Sequence, residues 1–262
     1  GGAAMTSSAV SIVNHKGVRV ITMDQPDTRN ALTPDLRDAL LGSMEDAVAD
    51  ADCRAIVLTG SGKSFCAGGD LNSLPESDPA AIRLRLSTSH RLVRLVAAGP
   101  KPGVAAVQGY AFGAGLSLAC ACDLVFATPN ASFGAVFGKV GLTGDMGLLW
   151  SLPQRIGIAE TKRLMFRSGT LTAAQALQLG LVDEVAQEGD VVDAAVAAAG
   201  AFLETAPLSI AAAKDILARG PAPLDDVLKA EIDHQILLFS SRDFSEGRRA
   251  FQERRQPGFV GR

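Results

Sequence analysis

Aromatic residues make up only 5% of the 262-residue chain, with a single Trp and a single Tyr, so its core must be built mainly from Ala, Val, Leu and Ile. Long apolar runs are missing too. No stretch approaches the roughly 20 residues that span a bilayer, which predicts a soluble protein with no membrane partner. There is no excess of positive charge: a net charge of −3 argues against a nucleic-acid partner, which normally requires a basic face. The N-terminus shows no basic segment ahead of an apolar stretch, so no secretory leader is expected and a cytoplasmic location is. Gly1 to Ala4, ahead of Met5, read as an expression remnant. The four cysteines, Cys53, Cys66, Cys120 and Cys122, lack C-x-x-C spacing and read as reduced thiols. His15, His90 and His234 are too scattered to suggest a metal site.

What is present suits one large α/β domain, or one domain with an appendage: 47% hydrophobic residues against 20% charged. The stretch GVRVITM at 17–23 reads as a strand. LTPDLRDALLGSMEDAVAD then opens a helix with Thr33 as N-cap and Pro34 at the first helical position. Buried strands follow at 54–60, 102–109 and 123–128, with helical stretches at about 79–98 and over LSLACAC. This alternation favours an α/β core. From about residue 145 the pattern turns helical; TAAQALQLG ends at Gly180, a C′ glycine, and DVVDAAVAAAGAFLETA follows. Two or three further helices follow Pro207, with a broad apolar face that suits either a neighbouring subunit or the chain's own core.

Two motifs imitate nucleotide sites and fail. VLTGSGKSF lacks the first P-loop glycine, because Val57 stands there. GAG at 113–115 lacks the third glycine of a dinucleotide fingerprint. A better signal is that two Gly-rich loops, SGKSFCAGGDL and YAFGAG, each follow a buried strand. Glycines let backbone N–H groups approach a ligand closely, and two N–H groups aimed at one oxygen form an oxyanion hole. By spacing alone, two tight turns are the favoured reading of the loops. Asp145 is the only charged side chain between Lys139 and Arg155, set in GLTGDMGLLW. It reads either as the cap of the helix that follows or as the acid of a site.

The motifs RNAL at 29–32, SFCAGGDL at 64–71, KPGVAAVQGYAFGAGLSLACACDLVFAT at 101–128 and EGRRAFQERRQPGF at 246–259 resemble, in order, the crotonase (enoyl-CoA hydratase/isomerase) superfamily. The resemblance implies an α/β fold: a ββα spiral core over 6–205 and a helical trimerisation region over 206–262, assembled as homotrimer or homohexamer. It implies an acyl-CoA thioester as substrate, with no cofactor beyond the coenzyme A that the substrate carries. It places the oxyanion donors at the backbone N–H groups of Gly69 and Ala114. Arg29, Ala31, Ala67, Asp70 and Leu71 fall where the family holds coenzyme A, and Phe251 and Arg254 where a neighbouring subunit contacts the nucleotide. Asp70 reads equally as a turn residue bonding its own backbone.

Hydratases of the family place glutamates where this chain has Ser117 and Phe137, so ordinary hydration is not expected. Asp145 resembles the aspartate of members that shift double bonds, including the ring-opening isomerases of phenylacetyl-CoA degradation. One carboxylate suffices for that reaction, in an apolar pocket walled by Phe112, Phe137, Leu142 and Met146 whose desolvation would tune its acidity. Alternatives are residual hydration by a water on Ser117, hydrolysis like that of the aroyl-CoA dehalogenases with His90 activating water, and acyl-CoA binding without catalysis. The loops around 72–90, which shape the acyl site, carry no readable motif.

Overall fold

The computed structural model describes residues 5–7, 9–73, 78–187 and 189–262. An antiparallel meander opens the chain: β1 (Met5–Ser7), β2 (Val10–His15) and β3 (Val18–Met23). Helix α1 (Pro34–Ala49) follows, then β4 (Ala55–Gly60), α2 (Pro79–Ala98), β5 (Gly103–Val107), β6 (Tyr110–Phe112), α3 (Ala114–Ala121) and β7 (Leu124–Ala127). After these come β8 (Ser132–Gly134), α4 (Leu148–Phe166), β9 (Thr170–Thr172), α5 (Ala173–Leu179), β10 (Glu184–Val185) and α6 (Val191–Ala201). The C-terminal part is helical, with α7 (Pro207–Leu217), α8 (Leu224–Phe239) and α9 (Arg242–Glu253). The main sheet runs β1-β2-β3-β4-β5-β7-β10 and is parallel from β3 onward; β6, β8 and β9 form a smaller mixed sheet.

Alternation along each strand divides the interior in two. Ile21, Met23, Ile56, Leu58, Ala105 and Val107 face the larger core, shared with Leu36, Leu40 and Met44 of α1 and Leu92 and Val96 of α2. Their sequence neighbours Val20, Val57, Val104 and Ala106 face the other way, onto Val191, Ala195 and Ala199 of α6. Thr33 caps α1 as its sequence predicts, accepting from the Leu36 N–H at 3.2 Å. Gly180 takes φ of 82° at the end of α5, the left-handed conformation that makes glycine the usual closing residue.

Three features depart from the sequence reading. Helix α4 has Gly147, at φ of 74°, as its N-cap, and it breaks at Gly157, where φ is again 74°. The strands of the smaller sheet are each three residues long, too short to leave a period in the sequence. The third is the opening hairpin of β1 and β2, which the sequence reading passes over. On α8, Leu224, Leu228, Ile232 and Ile236 recur every four residues and are all exposed, so this face has no cover among the described residues.

Candidate active site

The parallel strands β4 and β5 end side by side and release the two Gly-rich loops in the same direction. The loops pair through an isolated bridge: the Cys66 N–H donates to Tyr110 at 2.9 Å and the Phe112 N–H donates back to Cys66 at 3.0 Å. This approach requires glycine on one side. A Cβ on Gly109 would lie 1.9 Å from the Lys63 carbonyl, and one on Gly115 would lie 2.2 Å from the Cys66 carbonyl. Buried Asn30 ties in a third segment. Its side-chain amide donates to the carbonyls of Ser61 (3.0 Å) and Ser64 (2.8 Å), and its oxygen accepts from the Gln25 N–H at 2.8 Å.

The two expected donors thereby become neighbours, since a Cβ on Gly68 would stand 3.7 Å from the Ala114 nitrogen. Ala114 begins α3, where an N–H has no intrahelical acceptor. Among the described residues neither its N–H nor that of Gly69 meets a protein acceptor. Both groups border a cavity of about 520 Å³.

Asp145 borders the same cavity and is the only carboxylate among the described residues of its wall. It does not cap α4. Its carboxylate oxygen Oδ1 accepts from the adjacent Met146 N–H at 2.5 Å and lies 3.1 Å from Nε2 of His90. Met146 adopts φ of 52°, which turns the chain before the helix begins two residues later. Beneath, the Ser117 hydroxyl donates to the Asp145 carbonyl at 2.8 Å, fixing the backbone that carries the carboxylate. Ser117 is fully buried and off the cavity wall, so it is not placed to present a water there.

The expected apolar wall forms in part. Phe137, Leu142 and Met146 line the cavity, as do Ala67 and Leu71. Phe112 does not: its ring covers Gly134, where a Cβ would lie 2.8 Å away, and meets Tyr110 edge to face. Nor is Asp145 enclosed as expected, since its side chain is 33% exposed and shares Oδ1 with His90. Arg29, Ala31 and Asp70 lie off the wall. The Arg29 guanidinium stands 5.7 Å over the Tyr110 ring, while Asp70 accepts from the Asn72 N–H at 3.1 Å in the turn the sequence allowed. Phe251 is 86% exposed near the end of α9, and Arg254 closes that helix at φ of 54°; neither borders the cavity of its own chain.

Two charged wall residues were not anticipated, Arg37 from α1 and Arg85 from α2. Burial holds Arg85 below its ordinary pKa, with the charge of Arg37 acting in the same direction and those of Asp70 and Asp145 opposing it. Both helices were legible in the sequence, but which of their turns reaches the cavity depends on how they pack. Among the described residues no group of three or more His, Cys, Asp or Glu converges as a metal site would require.

The sequence matches the enoyl-CoA hydratase/isomerase family over residues 14–262. It is 36% identical to the "Probable enoyl-CoA hydratase" of Rhodobacter capsulatus, over 94% of this chain and 96% of that protein. It is 33% identical to the 1,2-epoxyphenylacetyl-CoA isomerase of Escherichia coli, over 96% and 98%. Among solved structures, the enoyl-CoA hydratase of Polaromonas sp. JS666 superposes with a TM-score of 0.88 at 33% identity, covering 96% of this chain and all of that one. With paired backbone donors, a carboxylate and a cavity on the matching fold, this chain belongs to the enoyl-CoA hydratase/isomerase family.

Proposed function

We propose that this protein moves a double bond within an acyl-CoA thioester, with Asp145 as the single proton shuttle and the N–H groups of Gly69 and Ala114 as the oxyanion donors. The observation that carries the reading is that, among the described residues, one cavity holds two backbone N–H groups without protein acceptors and one carboxylate, Asp145. In this reading the thioester oxygen accepts from both N–H groups. Asp145 removes the proton at C2 of a 3-enoyl thioester. The electron pair spreads into a dienolate, whose charge the two donors stabilise. The same carboxyl returns the proton at C4, and the double bond emerges conjugated with the thioester. One acid–base group serves both transfers, which suits a chain with Ser117 and Phe137 where the resemblance puts the hydratase glutamates. His90 holds Oδ1 of Asp145 and leaves Oδ2 for the substrate. The exposed stripe of α8 supports assembly through the C-terminal helices; homotrimer or homohexamer is what the resemblance implies.

A second reading draws on the 3.1 Å contact between His90 and Asp145. A carboxylate beside an imidazole suits attack by the carboxylate and activation of water by the ring, hence hydrolysis, or addition of water across the double bond. Mass balance separates the readings. With a 3-enoyl-CoA, isomerisation gives a conjugated 2-enoyl thioester of unchanged mass, seen by its absorbance. A product heavier by one water, or loss of the acyl substituent to water, overturns the isomerase reading.

A further inference from the structure

The cavity wall is apolar apart from Asp145 and a few small polar groups, with two arginines set into it. Arg37 has a side chain only 11% exposed and Arg85 is half-buried. Arg37 uses Nε on Asp38, at 3.1 Å, and Arg85 uses Nη1 on the carbonyl and hydroxyl of Ser73, both at 3.3 Å. Among the described residues, the terminal nitrogens of Arg37 and Nη2 of Arg85 have no acceptor. None of these nitrogens is a sealed orphan, and both residues line the cavity. Nη2 of Arg85 stands beside the thioester site, 3.4 Å from where a Cβ on Gly69 would lie. The charges of Asp70 and Asp145 reach Arg85, yet no ion pair joins either carboxylate to it among the described residues.

Two like charges held together in a half-buried wall repel each other and each loses hydration. An anion between them offsets both costs. Guanidinium forks with unused N–H groups match the paired oxygens of a carboxylate. Resting on the acyl-CoA reading above, we infer that the acyl group carries a carboxylate of its own, received by Arg37 and Arg85, with the apolar wall covering the hydrocarbon between that carboxylate and the thioester. The phosphates of coenzyme A offer similar chemistry. The acyl carboxylate is favoured because Arg37 is largely buried and lines the same cavity as Gly69, Ala114 and Asp145.

The test is equilibrium binding of saturated acyl-CoA thioesters, which undergo no double-bond chemistry, so the outcome does not depend on whether the enzyme isomerises. Each chain length is offered with a terminal carboxylate and with a terminal methyl, alongside coenzyme A itself. At one chain length or more, the wild type should bind the carboxylate about tenfold to a hundredfold more tightly, the range for charge-assisted hydrogen bonds. Arg37→Met and Arg85→Met should each lower that ratio toward unity, with Arg85→Lys in between because it keeps the charge and loses the fork. No preference at any length overturns the inference. Equal weakening of carboxylate, methyl and free coenzyme A in the variants also overturns it, assigning the arginines to the phosphates. If the methionine variants fail to fold, the wild-type preference alone decides. Binding of no thioester would instead sink the acyl-CoA reading on which the inference rests.

Discussion

The Ser117 hydroxyl, buried in α3, donates to the backbone carbonyl of Asp145 at 2.8 Å. At the place where the resemblance puts a hydratase glutamate, this chain holds a short side chain that braces the segment bearing its one cavity carboxylate. The same hydroxyl lies 3.2 Å from the Gly113 carbonyl, so it links the loop before Ala114 to the segment of Asp145.

Ser117→Ala should therefore separate positioning from binding. The lost hydrogen bond costs about 1 kcal/mol of stability, read by denaturant unfolding. With its brace gone the carboxylate drifts, and kcat should fall about tenfold or more while KM changes little. Unchanged kcat beside the loss of stability would make the bond merely structural.

Gly115→Ala should be far more damaging than its size suggests. The added methyl would meet the Cys66 carbonyl at 2.2 Å, a contact that only separation of the two loops relieves. Overpacking of this kind costs about 1–3 kcal/mol or more. The expected outcome is a markedly lower melting temperature and near-complete loss of turnover in whatever protein remains folded. Wild-type activity would show that the loops need not stay zipped.

The thiols give a pH prediction. All four cysteines are buried, and desolvation pushes Cys66, Cys120 and Cys122 up to about 12 from an ordinary 9.0. Above pH 9 the unfolded chain sheds protons that the native chain retains. Stability from this source is thus fully present below about pH 9 and is lost as the pH rises toward 12. Melting temperature should decline across that window, and thiol reagents at pH 8 should label the protein only on unfolding. Rapid labelling of the native state would contradict the buried assignment.

If α8 is covered by another subunit, sedimentation should return the mass of three or six chains. Ile232→Glu, placed in the middle of the exposed stripe, should shift the protein toward monomer. A wild-type monomer would refute assembly through this face.

Much of the fold was legible because its signals are local. Thr33 with Pro34 marks the start of α1, and Gly180 marks the end of α5 through a conformation that glycine adopts readily. The motifs singled out Gly69, Ala114 and Asp145, which the fold brings to one cavity. What escaped depends on tertiary partners. Asn30 is a quoted motif residue, yet its task is defined by the carbonyls of Ser61 and Ser64, more than 30 positions away. Arg37 and Arg85 lie on helices whose capping and periodicity reveal the helix but not the turn that meets a cavity. Asp145 suited a helix cap by residue type, but the left-handed turn at Met146 moves the helix start past it.

The most direct test compares wild type with Asp145→Asn on a 3-enoyl-CoA, following the absorbance of the conjugated thioester. The substitution keeps the shape and the backbone that Ser117 holds, and removes the proton-accepting charge. The account predicts conjugation by the wild type and a loss of about a hundredfold or more in kcat for the variant, within the range for a positioned acid–base group, with thioester binding retained. Equal turnover by the two proteins would contradict the central claim that Asp145 carries the proton.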